Sequence, residues 1–114
     1  SEEKIKFQIS EIIREKILLL LKEEVPHSIF IDVKSVDFND DLSIIAKIIV
    51  EKDSQKGILI GKNGAMIKQI GINSRKELEK EFKEHVQLQL TVSVAKNWRN
   101  DEKFLKKHDF LKIK

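Results

Sequence analysis

Apolar side chains recur every three or four positions between residues 9 and 24. This spacing places them on one face of an α-helix, because the helix completes a turn every 3.6 residues. The positions are Ile9, Ile12, Ile13, Ile17, Leu20 and Leu21. We therefore expect an amphipathic helix with Ser10 as its N-cap. It should end at Pro26, whose ring nitrogen has no hydrogen to donate.

Three further segments have the composition and alternation of β-strands. Residues 29–38 are rich in branched and aromatic side chains, and residues 42–52 form a longer apolar run. The polar turn 39–41 between them is so short that it predicts an antiparallel hairpin. Residues 86–94 alternate strictly, and one face of this predicted strand carries Val86, Leu88, Leu90, Val92 and Val94.

Between the hairpin and the last strand the apolar period returns to that of a helix. A short helix over 55–60, capped by Ser54, precedes a longer helix from about residue 65 to 84. The inward stripe of the longer helix is Ile67, Ile70, Ser74, Leu78 and Phe82. Gly71 is expected to let this helix approach the sheet closely.

The tail is expected to form a short helix over residues 100–114, with Phe104 and Leu105 packed inward. Trp98 is expected to pack against that helix. The element order predicts a single domain over residues 1–114 in the α+β class. Helices would cover one face of a three-stranded sheet in two layers.

Several classes of function are excluded by what the chain lacks. It contains no cysteine, so disulfides and thiolate metal sites are absent. The three histidines are far apart and have no metal-ligand spacing. The carboxylates alternate with lysines on predicted helix faces, where ion pairing explains them. We therefore predict no cofactor, no metal, no membrane span and no catalytic site in this chain.

Positive charge is locally concentrated. The formal net charge is only +3, but the segment 54–76 has five basic residues and no acidic one. Because salt screens charges beyond roughly 8 Å, a local cluster matters more than the net value. A solvated surface would explain such a cluster, and so would contact with a phosphodiester backbone. The five residues are Lys56, Lys62, Lys68, Arg75 and Lys76.

The glycine-rich turn at residues 61–64 interrupts the two predicted helices. A nucleoside triphosphate loop needs four residues between its glycines and a Ser or Thr after the lysine. Here three residues separate Gly57 from Gly61, and Asn63 follows Lys62. The segment also follows an antiparallel hairpin rather than a parallel strand. The phosphate-loop interpretation therefore fails.

A nucleic-acid clamp agrees better with this turn. Two glycines without side chains let a sugar-phosphate strand approach the backbone, and Lys62 adds a positive charge between them. Ile58, Ile60 and Ile67 could line an apolar groove for unstacked bases. Core packing would equally explain these isoleucines.

The chain resembles a known family, the C-terminal KH domain of type II topology in Era-like ribosome-assembly GTPases. The resemblance covers nearly the full length and is carried by residues 11–28, 50–71, 75–82 and 97–110. The resemblance assigns the RNA clamp to four consecutive residues, Gly61, Lys62, Asn63 and Gly64. The basic and apolar residues expected beside the clamp are Lys56, Ile58, Ile60 and Ile67. Further candidates for RNA contact are Lys68, Arg75 and Lys76.

The resemblance implies a module that binds single-stranded RNA near the 3′ end of small-subunit ribosomal RNA. The small ribosomal subunit and a GTPase domain of the same protein are the other implied partners. That GTPase domain is missing from this chain, so we expect a part of a longer GTP-binding protein rather than a stand-alone one. The implied location is the cytoplasm of a bacterium, or a mitochondrion or plastid in a eukaryote.

A rival interpretation is a protein-interaction platform in which the glycine turn is silent. The domain would then dock on a GTPase domain or a ribosomal protein. The apolar residues of the tail, Phe104, Leu105 and Phe110, would serve such docking.

Overall fold

The computed structural model describes residues 1–24, 28–96 and 103. Within these residues it places two long helices, a short helix and three strands in the predicted order. Pro26, Trp98 and the predicted terminal helix with Phe104, Leu105 and Phe110 lie outside the described residues, apart from Lys103.

The first helix, α1, spans Glu2–Leu21 and continues as a 3₁₀ turn over Lys22–Glu24. Its N-cap is Ser1, whose Oγ accepts a hydrogen bond from the Lys4 amide at 3.4 Å. The prediction of Ser10 as N-cap is wrong. Nothing in residues 2–9 breaks a helix, and the acidic first turn suits its positive end. The Ser10 hydroxyl instead donates to the Phe7 carbonyl at 2.7 Å.

The sheet contains β1 (Phe30–Asp37), β2 (Leu42–Val50) and β3 (Val86–Val94), with β2 in the centre. The predicted antiparallel hairpin of β1 and β2 is confirmed, with a register irregularity between Val33 and Ser35. β3 pairs with β2 in parallel. A parallel neighbour requires a long crossover, which the two helices between β2 and β3 provide.

The crossover consists of α2 (Asp53–Ile60) and α3 (Ala65–Phe82), separated by the glycine turn. The N-cap of α2 is Lys52 and not Ser54, so that prediction is wrong. The start of α2 is stabilised from inside the helix. Gln55 Oε1 accepts from the amides of Glu51 and Lys52, at 3.0 and 2.9 Å. A serine two positions after the cap has no such role.

The core lies between the helical layer and one face of the sheet. Its fully buried residues come from α1, α2, α3, the inward face of β2 and the start of β3, and they include Ile9, Ile13, Ile17, Leu42, Ile44, Ile48, Leu59, Ile70, Leu78 and Val86. The predicted stripe of α3 is confirmed, with Ile67 and Phe82 partly buried at its ends. The predicted two-layer α+β class is therefore confirmed.

The expected reason for Gly71 is wrong. A Cβ added there would lie 4.0 Å from Leu90 Cδ1, which is an ordinary contact distance. Helix α3 does not need a glycine in order to pack on the sheet. The missing side chain instead leaves space between α3 and β3, and this space belongs to the candidate site.

Candidate nucleic-acid interface

Gly61 ends α2 in a conformation that only glycine adopts without strain. Its φ is +74°, and its amide donates to the Gly57 carbonyl at 2.8 Å. An added Cβ would lie 2.6 Å from Met66 Cβ and 2.9 Å from the Met66 nitrogen. Both the backbone dihedral and the contact with Met66 therefore require the glycine.

The rest of the turn is left-handed and open. Asn63 has φ 56° and Gly64 has φ 76°, and the Gly64 amide donates to the Gly61 carbonyl at 3.2 Å. Nothing lies within 4 Å of a Cβ added at Gly64. Gly64 thus serves the backbone conformation and leaves the outer side of the turn free for a ligand.

The turn presents positive charge to solvent. The side chains of Lys62 and Asn63 are exposed, and Lys62 forms no ion pair with any residue that the structure describes. Helix α3 begins directly after the turn, with no side-chain cap and no acidic residue in its first turn. The Ala65 amide donates to the Lys62 carbonyl, but no side chain in the described part of the chain caps the amides that follow or offsets the positive end of the helix dipole. This arrangement favours an anion at the turn.

A groove of about 330 Å³ lies between α3 and the outer strand β3, and its lining begins at Ile67 in the first turn of α3. Its lining is mostly apolar, with two basic side chains from α3. The lining residues are Ile67, Lys68, Gly71, Ile72, Arg75, Leu88 and Leu90. An apolar surface on the helix that follows an anion-favouring turn is a suitable place for unstacked bases.

The predicted site residues are only partly brought together. Ile67, Lys68 and Arg75 line the groove, whereas the clamp residues 61–64 do not; Ile67 lies three residues after Gly64. Ile58 and Ile60 lie on α2 and are exposed and half-buried, respectively, but neither lines this groove. Lys56 is half-buried on α2, and Lys76 is exposed on α3. The RNA contacts of these residues stay predictions.

Four groove residues were not among the predicted ones: Gly71, Ile72, Leu88 and Leu90. Alternation placed both leucines on the core face of their strand, and they do pack against the core. They are half-buried because β3 has a strand neighbour on one side only within the described sheet. Alternation of apolar and polar residues does not show whether a strand lies at the edge of the sheet, so it could not predict that these leucines line a groove.

One carboxylate organises the far end of the groove. Glu79 Oε2 accepts from the Val86 amide at 3.1 Å and lies 3.5 Å from Arg75 Nη1. It also lies 3.2 Å from His85 Nδ1. The Val86 amide, followed by the charges of Arg75 and His85, lowers the pKa of Glu79 against a smaller opposing effect of desolvation.

The described residues contain no group of three or more histidine or acidic side chains placed to hold a metal ion. No helix in the described part of the chain is long and apolar enough to cross a membrane.

A family model for the KH domain matches residues 24–99 of this chain. The GTPase Era of Lactobacillus helveticus is 54% identical over 102 residues, which is 88% of this chain and 34% of that protein. The GTPase Era of Caldanaerobacter subterraneus is 49% identical over 105 residues, 90% of this chain and 35% of that protein. The chain thus spans about a third of the length of the curated relatives it matches.

Two solved structures share the fold. Each has a TM-score of 0.82 and 34% sequence identity, over 93% of this chain and 36% of the other. One is a crystal structure of an Aquifex aeolicus Era variant bound to GDP and AlF4⁻. The other is Era in complex with MgGDPNP and nucleotides 1506–1542 of 16S ribosomal RNA.

Proposed function

This chain belongs to the KH domain family and matches the C-terminal KH domain of the Era-like GTPases, and on that premise we propose that it binds single-stranded RNA. The observation that carries the proposal is the glycine turn at residues 61–64. It joins an exposed lysine without an ion-pair partner among the described residues to the start of α3, which has no side-chain cap and which lines an apolar groove from Ile67 onward. KH domains clamp the backbone of four nucleotides with such a loop.

The proposed RNA is the 3′ end region of small-subunit ribosomal RNA, bound during ribosome assembly. This is supported by the 16S ribosomal RNA nucleotides held by a protein with the same fold. The relatives are about three times as long as this chain and are GTPases, so the proposed parent is a GTPase. RNA binding here would be coupled to its nucleotide state. The small ribosomal subunit is the proposed partner, and the bacterial cytoplasm the proposed location.

The role of Lys62 is tested by charge reversal. Lys62→Asp should weaken binding of a short RNA copied from the 3′ end of small-subunit ribosomal RNA, because an ammonium facing a phosphate is replaced by a carboxylate. Fluorescence anisotropy over a series of salt concentrations measures this. The log–log salt dependence should become shallower by roughly 0.7 for each phosphate that the variant no longer neutralises.

Lys4→Asp is the matched control. Lys4 is exposed in the first turn of α1, and the substitution changes the net charge by the same amount. It should leave RNA binding at the wild-type level. Equal affinities of wild type and Lys62→Asp would show that the glycine turn does not hold the strand.

Docking of a GTPase domain or ribosomal protein is a second candidate because α1 exposes apolar side chains. Phe7, Leu18 and Leu19 are 66%, 50% and 61% exposed. Phe7 and Leu18 are eleven residues apart, about three helical turns, and therefore share a face. In an NMR titration, RNA should shift the amides of residues 56–68, whereas a docking partner should shift those of α1.

A further inference from the structure

The basic side chains around the groove are of two kinds. Lys62 and Lys68 are exposed, and no carboxylate among the described residues pairs with either. The Arg75 side chain is only 39% exposed, and its guanidinium is paired with Glu79 one turn further along α3. An RNA strand that approaches the groove therefore meets two lysines whose charge is not neutralised by any carboxylate that the structure describes, and an arginine whose charge is neutralised.

Glu79 is itself fixed in place. Its Oε2 accepts from the Val86 amide at the start of β3, so the carboxylate is tied to the strand that supplies Leu88 and Leu90 to the groove. Because Arg75 pairs with this anchored carboxylate, its guanidinium is held at the groove instead of ranging through solvent. An ion pair at 3.5 Å between partly exposed side chains adds little to the stability of the fold. Its effect here is to fix the position of the Arg75 guanidinium.

The pairing changes which RNA group Arg75 can attract. The guanidinium and the carboxylate are separated by much less than the screening length of roughly 8 Å, so a phosphate at Arg75 would also meet the charge of Glu79. The attraction is then largely cancelled. A base edge has no net charge and escapes this repulsion. Arginine has five N–H donors, and the contact with Glu79 leaves most of them available.

We infer that Arg75 determines base specificity by hydrogen-bonding the O6 and N7 acceptors of a guanine, while Lys62 and Lys68 hold phosphates. Glu79 acts as its positioning residue. The inference rests on the proposed RNA-binding function. A two-pronged contact with guanine O6 and N7 is the commonest specific contact of arginine with a base, and in a single strand that edge is accessible.

The helix sets the distance of this contact from the clamp. Eleven residues separate Gly64 from Arg75, which is about 16 Å along the axis of α3. A KH loop clamps four nucleotides. The guanine therefore lies at the end of the bound segment farthest from the glycine turn.

The test compares hexauridine with the same strand carrying one guanosine or one 7-deazaguanosine, which lacks the N7 acceptor. Wild type should bind the guanosine strand about five-fold or more tightly than hexauridine. The 7-deaza strand should lose most of this preference. Arg75→Ala should bring the ratio of affinities to about one, since alanine has no side-chain N–H donor for guanine O6 and N7. Lys80→Ala, an exposed site on the same helix, is the control and should keep the wild-type ratio.

Glu79→Gln separates positioning from a merely structural role. Its amide oxygen can still accept from Val86, but the charge beside Arg75 is gone. The guanosine preference should fall, and the salt dependence on hexauridine should become steeper by roughly 0.7, because Arg75 is now free to attract a phosphate. If Glu79 only stabilised the fold, Glu79→Gln would neither lower the guanosine preference nor make the salt dependence of hexauridine binding steeper.

Two results would overturn the inference alone: a wild type that binds RNA without guanosine preference, or an Arg75→Ala variant that binds all strands more weakly with a shallower salt dependence. In both cases a loss of binding in Lys62→Asp would still support the proposed function. If wild type bound none of the strands, the inference and the proposed function would fail together.

Discussion

The two glycines of the turn are constrained by different forces. At Gly61 a side chain meets both a positive φ and the atoms of Met66, whereas at Gly64 it meets a positive φ only. A left-handed conformation costs a non-glycine residue roughly 1–2 kcal/mol. The Met66 contact is backbone and Cβ, which cannot rotate away, so Gly61 carries an additional steric cost.

Gly61→Ala should therefore lower the free energy of unfolding by more than Gly64→Ala, which should cost about 1 kcal/mol. Urea unfolding of the two variants measures the difference. Equal losses would mean that Met66 moves aside without cost. For the same reason Lys62→Asp is a cleaner probe of RNA binding than any substitution at Gly61.

At the scale of elements, the site depends on how the crossover aligns α3 with β3. The glycine turn and the basic residues were evident from the sequence because they are local. The second wall of the groove was not, since Leu88 and Leu90 belong to it only when β3 lies parallel to β2 at the edge of the sheet. The alternation of apolar and polar residues shows which face of a strand is apolar, but it does not show which strand lies beside it.

Two substitutions at Gly71 are expected to affect the stability of the fold and the affinity for RNA separately. Gly71→Ala should raise the free energy of unfolding by about 0.5–1 kcal/mol, because alanine has the higher helix propensity and the Cβ finds an ordinary contact with Leu90. Gly71→Leu should fill the groove and weaken RNA binding. Thermal unfolding and anisotropy measure the two effects.

Gly57 provides the matched control for this substitution. It lies in α2, and an added Cβ would have nothing within 4 Å. Gly57→Leu should leave RNA affinity close to wild type. An unchanged affinity of Gly71→Leu would show that bases do not enter the groove.

For the whole molecule, the two-layer class and the element order followed from periodicity, because each helix and strand buries one face. The helix starts were predicted less well. Ser10 and Ser54 have the right chemistry for caps, but α1 begins earlier and α2 is stabilised by Gln55. Capping depends on which residue leaves the helical conformation first, and the packing of the whole domain decides this.

The two layers are joined by Glu79, and this makes stability depend on pH. The pKa of Glu79 is lower in the folded domain, first through the Val86 amide and then through Arg75 and His85. Its carboxylate therefore stabilises the fold above the ordinary pKa of 4.5, and this contribution is lost as the pH falls from there through the lowered value.

Glu79→Gln should accordingly be less stable than wild type near neutral pH, with a difference that shrinks under acid conditions. Urea unfolding at a series of pH values from neutral to below 4.5 checks this. Glu84→Gln, an exposed carboxylate beyond the end of α3, serves as the comparison and should show no such convergence. A constant difference for Glu79→Gln would mean that its charge has no part in holding the layers together.

The parallel placement of β3 also has a consequence for the order of folding. The β1–β2 hairpin closes through neighbouring residues, whereas β3 must return across the whole crossover before its first backbone bond with β2 forms. During synthesis, a nascent chain that ends before residue 86 contains residues 61–64 but lacks Leu88 and Leu90, which form the other wall of the groove. The surface that we propose to contact bases is therefore completed last, once the final strand has emerged and docked.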